Sequence, residues 1–289
     1  MKNIAVLLTC FNRREKTLAA LHHLYKAHER VAGHIQLFVY LTDDGSTDGT
    51  GEAVQKAYPQ IKVLQGTGNL FWAGGMRNSW REAKKGTYDA YLLLNDDTNV
   101  FPVLFEELLN THEYCLKTYG KSGIYIGATQ DAISGKHTYG GAVLEDRFMF
   151  KYRFLPPTGQ PQSCEMGNAN IMLVTAPVVE EIGILSEGYV HGVADYDYTL
   201  KAVKKDLPVL LGAHYCGTCV HDHSNIYDNF AEKNFSQRLA LLKNPLGLDL
   251  RSNLNLMRRH FPFRVPFVLF SAGLKLLLPK IYVKSLAKR

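Results

Sequence analysis

The chain has 289 residues, 46% hydrophobic and 21% charged, which suits one large α/β domain with or without an appendage and excludes a disordered chain. Lys and Arg number 33 against 27 Asp and Glu, a net charge of +6, and so small an excess does not imply nucleic-acid binding unless it clusters on the folded domain. It clusters at the end instead: from Arg251 onward every charged side chain is Lys or Arg, so the rest of the chain holds more acids than bases.

The first hundred residues alternate strand and helix. Residues 4–8 form a short apolar run, as in a strand buried on both faces, and 14–27 set Leu18, Leu21, Leu24 and Tyr25 at helical spacing. Strands are expected at 36–41, 61–64 and 88–94, with helices at 51–58, stopped by Pro59, and 78–85, closed by Gly86. Residues 123–175, richer in Gly, Tyr and Pro, read as β-rich, and helices are expected near 176–183 and 195–205. The pattern predicts a mostly parallel sheet covered on both faces, with ligands gathering beyond the carboxyl ends of its strands.

Polar clusters follow the first strands. Asn95, Asp96 and Asp97 end a buried strand; adjacent carboxylates repel unless a cation or water intervenes, so the cluster reads either as a divalent-metal site or as a capped turn. Asp43-Asp44-Gly-Ser-Thr-Asp48 offers acceptors for a base N–H or a ribose hydroxyl, and equally an N-cap at Ser46, Thr47 or Asp48. Asp195 and Asp197 read as carboxylates in the first turn of a helix, favoured there by its dipole. Cys216, Cys219, His221 and His223 could supply four zinc ligands, although Cys219 and His221 are closely spaced for such a site.

Five cysteines without a disulfide cadence, no leader-like N-terminus and no long apolar run lead us to expect a reducing cytoplasmic setting. Residues 258–289 are apolar and cationic together, and 265–278 are nearly all apolar. That segment suits either packing on the core or lying on an anionic membrane surface, which would make the protein peripheral on the inner face of the membrane.

The Asp43-to-Thr50 string, taken with Thr9-Cys-Phe-Asn12-Arg13 before it and Leu-Leu-Asn95-Asp96-Asp97-Thr after it, resembles the inverting family-two glycosyltransferases. The segment Gly68-Asn69-Leu-Phe-Trp-Ala-Gly74-Gly75-Met-Arg77-Asn78 is similar to the N-x-G-x-A-G-G-x-N stretch of rhamnosyl- and galactofuranosyltransferase relatives. The resemblance implies a GT-A fold, Rossmann-like, over 1–225, with a nucleotide-binding half at 1–99, an acceptor and catalytic half at 100–225, and a basic helical segment at 226–289. It implies that Thr9, Asn12 and Arg13 line the nucleotide pocket and that Asp43, with Asp44 beside it, reads base or ribose. Asn69, Gly74, Gly75 and Arg77 would wrap the donor diphosphate and sugar.

By the same resemblance Asp96 stands in the family's D-x-D position with Asn95 in place of its first Asp, Asp97 holds Mn2+ or Mg2+ with His221 as a further ligand, and Asp195 is the general base. The implied reaction moves a sugar from a dTDP-, UDP- or GDP-sugar to a hydroxyl of a glycan or lipid-linked acceptor in cell-surface polysaccharide synthesis. A sugar nucleotidyltransferase fits less well, since no glycine follows the first strand at Thr9 to Arg13. An inactive nucleotide- or glycan-binding protein at the membrane surface is the non-enzyme alternative, kept open by Asn95 and by Ala194, which replaces a motif acid.

Overall fold

The structure, a computed structural model, describes residues 1–220 and 226–285. Its first half winds β1 (Asn3–Cys10), α1 (Arg14–Glu29), β2 (Gln36–Asp43), α2 (Thr50–Ala57), β3 (Lys62–Gln65), α3 (Phe71–Ala83) and β4 (Ala90–Leu94). There follow β5 (Asn99–Val100), α4 (Leu104–Tyr119), β6 (Ile124–Gln130), β7 (His137–Tyr139), β8 (Gly141–Asp146), β9 (Lys151–Phe154), β10 (Gln162–Ser163), β11 (Met166–Gly167) and β12 (Ile171–Thr175). The chain ends with α5 (Ala176–Ile182), α6 (Ala194–Val203), β13 (Val209–Thr218), α7 (Phe235–Lys243), α8 (Leu250–His260), α9 (Val265–Leu277) and α10 (Pro279–Ser285).

The main sheet runs β10-β13-β6-β12-β4-β1-β2-β3, parallel from β4 through β3, with β12 antiparallel to both of its neighbours. The apolar runs that marked the strands are its middle: every side chain of β4 and β12 is buried. Odd and even positions feed different layers. Ile4, Val6 and Leu8 pack with Leu21 and Leu24 of α1, while Ala5 and Leu7 pack with Met76 and Trp80 of α3. A small sheet, β11-β8-β9, stands apart and shares a third core with Tyr189, Tyr196 and Leu200. Leu256, Met257 and Phe261 join that core, so the C-terminal helices pack against α6.

Helix α3 begins at Phe71, seven residues before the sequence reading starts it. Gly74 and Gly75 each cost about 1 kcal/mol in a helix; tertiary packing overrides that cost. A Cβ on Gly75 would lie 2.0 Å from Thr9 Oγ1 and 2.7 Å from Thr9 Cβ, so the glycine lets helix and strand meet. Gly75→Ala is therefore expected to lower stability by about 1–2 kcal/mol, overpacking outweighing the gain in helix propensity. Gly273→Ala on α9, where a new Cβ meets nothing within 4 Å, should leave stability unchanged or raise it slightly. Urea melts of the two variants compare them. Among the described residues no helix is long and apolar enough to cross a membrane.

Candidate active site

Sheet register builds the site. Antiparallel pairing sets Ile171 of β12 opposite Leu94 of β4, so the segment entering β12 meets the segment leaving β4 at one rim. There the Asn95 N–H donates to the Asn170 carbonyl at 3.1 Å, and the Ala169 N–H donates to Asp195 Oδ2 at 3.2 Å. Residues 168–170 thus hold the strand-end acids and the first turn of α6 at a fixed spacing. Asp96, Asp97 and Asp195 all line one cavity of about 330 Å³, with Arg13, Trp72 and Tyr196 among its other walls.

At one side of the cavity Arg13 Nη1 contacts Asp97 Oδ2 at 2.6 Å and Asp96 Oδ1 at 3.3 Å, and Thr17 Oγ1 donates to Asp96 Oδ2 at 3.4 Å. Burial pushes the Asp96 carboxyl up to about 7; Arg13 opposes that rise and the Asp97 charge adds to it. The pair converges on the Arg13 guanidinium. Two hard carboxylates suit a divalent ion that keeps several waters and takes phosphate oxygens. Among the described residues no three His, Cys, Asp or Glu side chains group as metal ligands. His221 and His223 lie outside the described residues. Cys216 belongs to the core whereas Cys219 lines the cavity, so the zinc reading gains nothing from the described part.

Asp195 is half-buried in the first turn of α6 and accepts from the Tyr196 N–H at 2.9 Å. Burial pushes its carboxyl up to about 6, against the pull of the Tyr196 and Ala169 amides. A carboxylate poised there is a serviceable base near neutral pH. Asp197 has a different task. It is fully buried, with Tyr189 Oη at 2.8 Å, His260 Nε2 at 2.9 Å and Arg259 Nη1 at 3.4 Å. Burial alone would raise it; hydrogen bonds from His260, Ser186 and Tyr189 more than offset that and hold it below its usual range. Asp197 thereby pins α8 to the helix that carries Asp195.

Several residues expected to face a donor are committed to the protein itself. Asp44 accepts from the N–H groups of Gly68, Leu70 and Phe71 at 2.8–2.9 Å, satisfying donors at the start of α3 that no helical carbonyl can reach. Asp43 is 4% exposed; its Oδ1 accepts from the Ser46 N–H, and its Oδ2 would lie 2.5 Å from a Cβ at Gly51. Arg77 donates to the carbonyls of Ser186 and Tyr189 and pairs with Glu187, a clamp on the loop before α6. The room at Gly74 and Gly75 is taken by Leu70 and Thr9, which is buried beneath α3.

Asn12 Oδ1 accepts from the Thr47 N–H at 2.7 Å, tying the two strand-end loops together. Asp48, expected as a cap, accepts from the N–H groups of both Thr50 and Arg14. Asn69 is exposed on the loop before α3. Arg13 also lines a more open hollow of about 420 Å³ with Asn12 and Asp48, and that hollow adjoins the site cavity through it.

Left-handed backbone gathers around the site. Asn12 (φ 50°), Phe71 (φ 53°) and Val193 (φ 57°) all sit just before or at helix starts. For Phe71 and β-branched Val193 that conformation costs about 1–3 kcal/mol each, and such strain persists where surrounding contacts fix it. Trp72 lines the cavity and donates from Nε1 to Asn95 Oδ1 at 2.7 Å. Its place beside the two glycines was the available signal.

The model of the family described as Glycosyl transferase family 2 matches residues 5–154. The chain belongs to that family. No curated protein matches it in sequence. Among solved structures, the transferase is similar to the mannosyltransferase PcManGT from Pyrobaculum calidifontis, solved with GDP-Man and Mn2+. That match has a TM-score of 0.53 at 13% identity and covers 94% of this chain and 74% of that one. It is similar also to S. aureus TarS 1-349, with a TM-score of 0.50 at 13% identity, over 99% of this chain and 75% of that one. The transferase has the GT-A fold.

Proposed function

We propose that the transferase moves a sugar, with inversion, from a nucleotide-diphosphate donor to a hydroxyl of a glycan or lipid-linked acceptor, with help from Mn2+ or Mg2+, in cell-surface polysaccharide synthesis at the cytoplasmic face. The observation that carries this reading is that Asp97 and Asp195, 98 residues apart in sequence, line one cavity and are spaced by the same three-residue stretch. The dTDP-rhamnose class is favoured by the Gly68–Asn78 motif, and PcManGT, of the same fold, was solved with GDP-Man and Mn2+.

Asp195 accepts the proton of the acceptor hydroxyl as its oxygen attacks the anomeric carbon. Among the described residues Asp195 is the one carboxylate at that end of the cavity, because Asp197 is consumed by Tyr189 and His260. With Asp195 acting as a base on the acceptor hydroxyl, transfer runs by single displacement, which inverts the anomeric centre. Asp97, with Asp96 beside it, would hold the divalent ion, whose charge offsets that of the departing diphosphate. The strand-end loops shaped by Asn12, Asp43 and Asp44 would present backbone groups to the nucleotide. Residues 226–285 act in this reading as a C-terminal layer that steadies α6 through His260 and Arg259.

A thermal-shift panel of nucleotide diphosphates, each with and without Mn2+, tests the reading. We expect one nucleotide class to raise the melting temperature by a few degrees, with most of the shift requiring the cation. Shifts indifferent to Mn2+ would remove the metal from the proposal, and no shift with any nucleotide would remove the donor.

A further inference from the structure

We propose that the outer face of α9, together with the β8–β9 hairpin tip, docks the protein on an anionic lipid surface. Phe263, Phe267, Phe270 and Leu277 are 52–72% exposed, whereas Ala272 on the opposite face is buried against the protein. Phe148 and Met149, each 55% exposed, come from the distant hairpin to the same face: the Phe148 ring lies 6.4 Å from that of Phe263 and 6.3 Å from that of Phe267. A monomer seldom leaves so many large apolar side chains together in water.

The chemistry around the face selects its occupant. α9 has 13 residues, about 20 Å of helix, too short for a bilayer core of about 30 Å and suited to lying in the interface. The cations near it in sequence are Arg258, Arg264, Lys275, Lys280 and Lys284, Arg259 being taken up by Asp197, and no acid follows Arg251. Arg264 lies over the Phe267 ring at 5.8 Å, so a cation borders the exposed aromatic side chains. Acids near the hairpin are paired at home: Glu145 with Lys151 and Arg153, Glu165 with Arg147, while Asp146 caps the turn through the Met149 N–H. A second copy seated on this face by two-fold symmetry would set cations against cations, so the charge pattern favours anionic lipid over self-association.

Aromatic packing joins this face to the active-site cavity. Phe150 contacts Phe261 and Tyr152, at 4.8 and 5.6 Å between ring centres, and Tyr152 meets cavity-lining Tyr196 at 6.0 Å. A docked protein would hold its cavity near an acceptor carried on a lipid anchor; that consequence alone rests on the proposed function.

Flotation of the full chain with phosphatidylcholine–phosphatidylglycerol vesicles and with pure phosphatidylcholine vesicles tests the docking face. We expect binding to the anionic vesicles only, weakened by high salt, and lowered on the order of tenfold by Phe148→Ser or by Phe270→Ser. Both side chains are exposed, so the melting temperature should hold. Absence of flotation, or flotation unchanged in both folded variants, overturns the proposal. So does a dimer in sedimentation equilibrium that Phe270→Ser dissolves. Transfer to a water-soluble acceptor is expected to be the same in both variants. If flotation succeeds and the wild type transfers no sugar, docking stands and the glycosyltransfer reading falls.

Discussion

Asp195→Asn is expected to cut sugar transfer by about 10²–10⁴-fold while nucleotide binding stays within about twofold, because the proton acceptor is lost and the donor side of the cavity is untouched. Asn retains an oxygen for one of the two amides, Tyr196 N–H at Oδ1 or Ala169 N–H at Oδ2, and leaves the other N–H without that acceptor. The wild-type rate should rise with pH along a limb centred near 6, the value to which burial pushes this carboxyl, and that limb should vanish in the variant. Stability should move the other way. An acid whose pKa is raised from 3.8 to about 6 by folding binds its proton more tightly when folded, so its contribution to stability declines as pH rises through that window. At pH 8 the wild type carries the full penalty of a desolvated charge, and Asn carries none. Allowing for its partial exposure and for the amide that loses its acceptor, we expect the variant to be more stable by at most about 1 kcal/mol at pH 8 and to differ little at pH 4. A variant that is both less stable and still active would make Asp195 a structural side chain and place the base elsewhere.

The inside of the sheet was legible because burial on both faces leaves a direct mark: β1 and β4 are runs of apolar residues, and the acids that end β4 stand where the chain leaves the core. Asp96, Asp97 and Asp195 could be picked out because each follows such an ending or opens a helix. Helix α3 was misread at its start because the room that Gly75 provides is filled by Thr9, and no local spacing encodes that meeting. The contacts of Asp44, Asp43 and Arg77 are likewise not encoded in local spacing. A carboxylate able to take a ribose hydroxyl is equally able to take three backbone amides, and only the folded loop decides between them. The link from Asp197 to His260 crosses 63 residues and appears in sequence merely as a histidine near a basic end. The shared segment at 168–170 was visible as a polar loop before a strand, but its grip on both halves of the site comes from the register of β12 with β4.

Asp97→Asn is expected to abolish the Mn2+-dependent part of nucleotide stabilisation and to lower transfer by about 10²–10³-fold, with nucleotide-free stability unchanged or slightly raised. The sign follows from the cluster: Asp96 and Asp97 are neighbouring carboxylates whose mutual repulsion is relieved when one becomes neutral, and Asp96 keeps its contact with Arg13 Nη1 at 3.3 Å. Arg13→Ala changes the same balance from the other side. It withdraws the guanidinium from both acids, and the expected cost without cation is about 1–2 kcal/mol, moderated by the 43% exposure of the Arg13 side chain. If the acids are the seat of a divalent ion, Mn2+ should then stabilise Arg13→Ala more than it stabilises the wild type, because ion and guanidinium compete for the same oxygens. If the acids serve only to anchor Arg13, Mn2+ will leave Arg13→Ala as unstable as before. Thermal melts of the two variants, run with and without Mn2+ and no nucleotide, separate these cases without any assay of turnover. A rescue by Mn2+ confined to Arg13→Ala, and absent when Asp97→Asn is added to it, would tie the ion to Asp97.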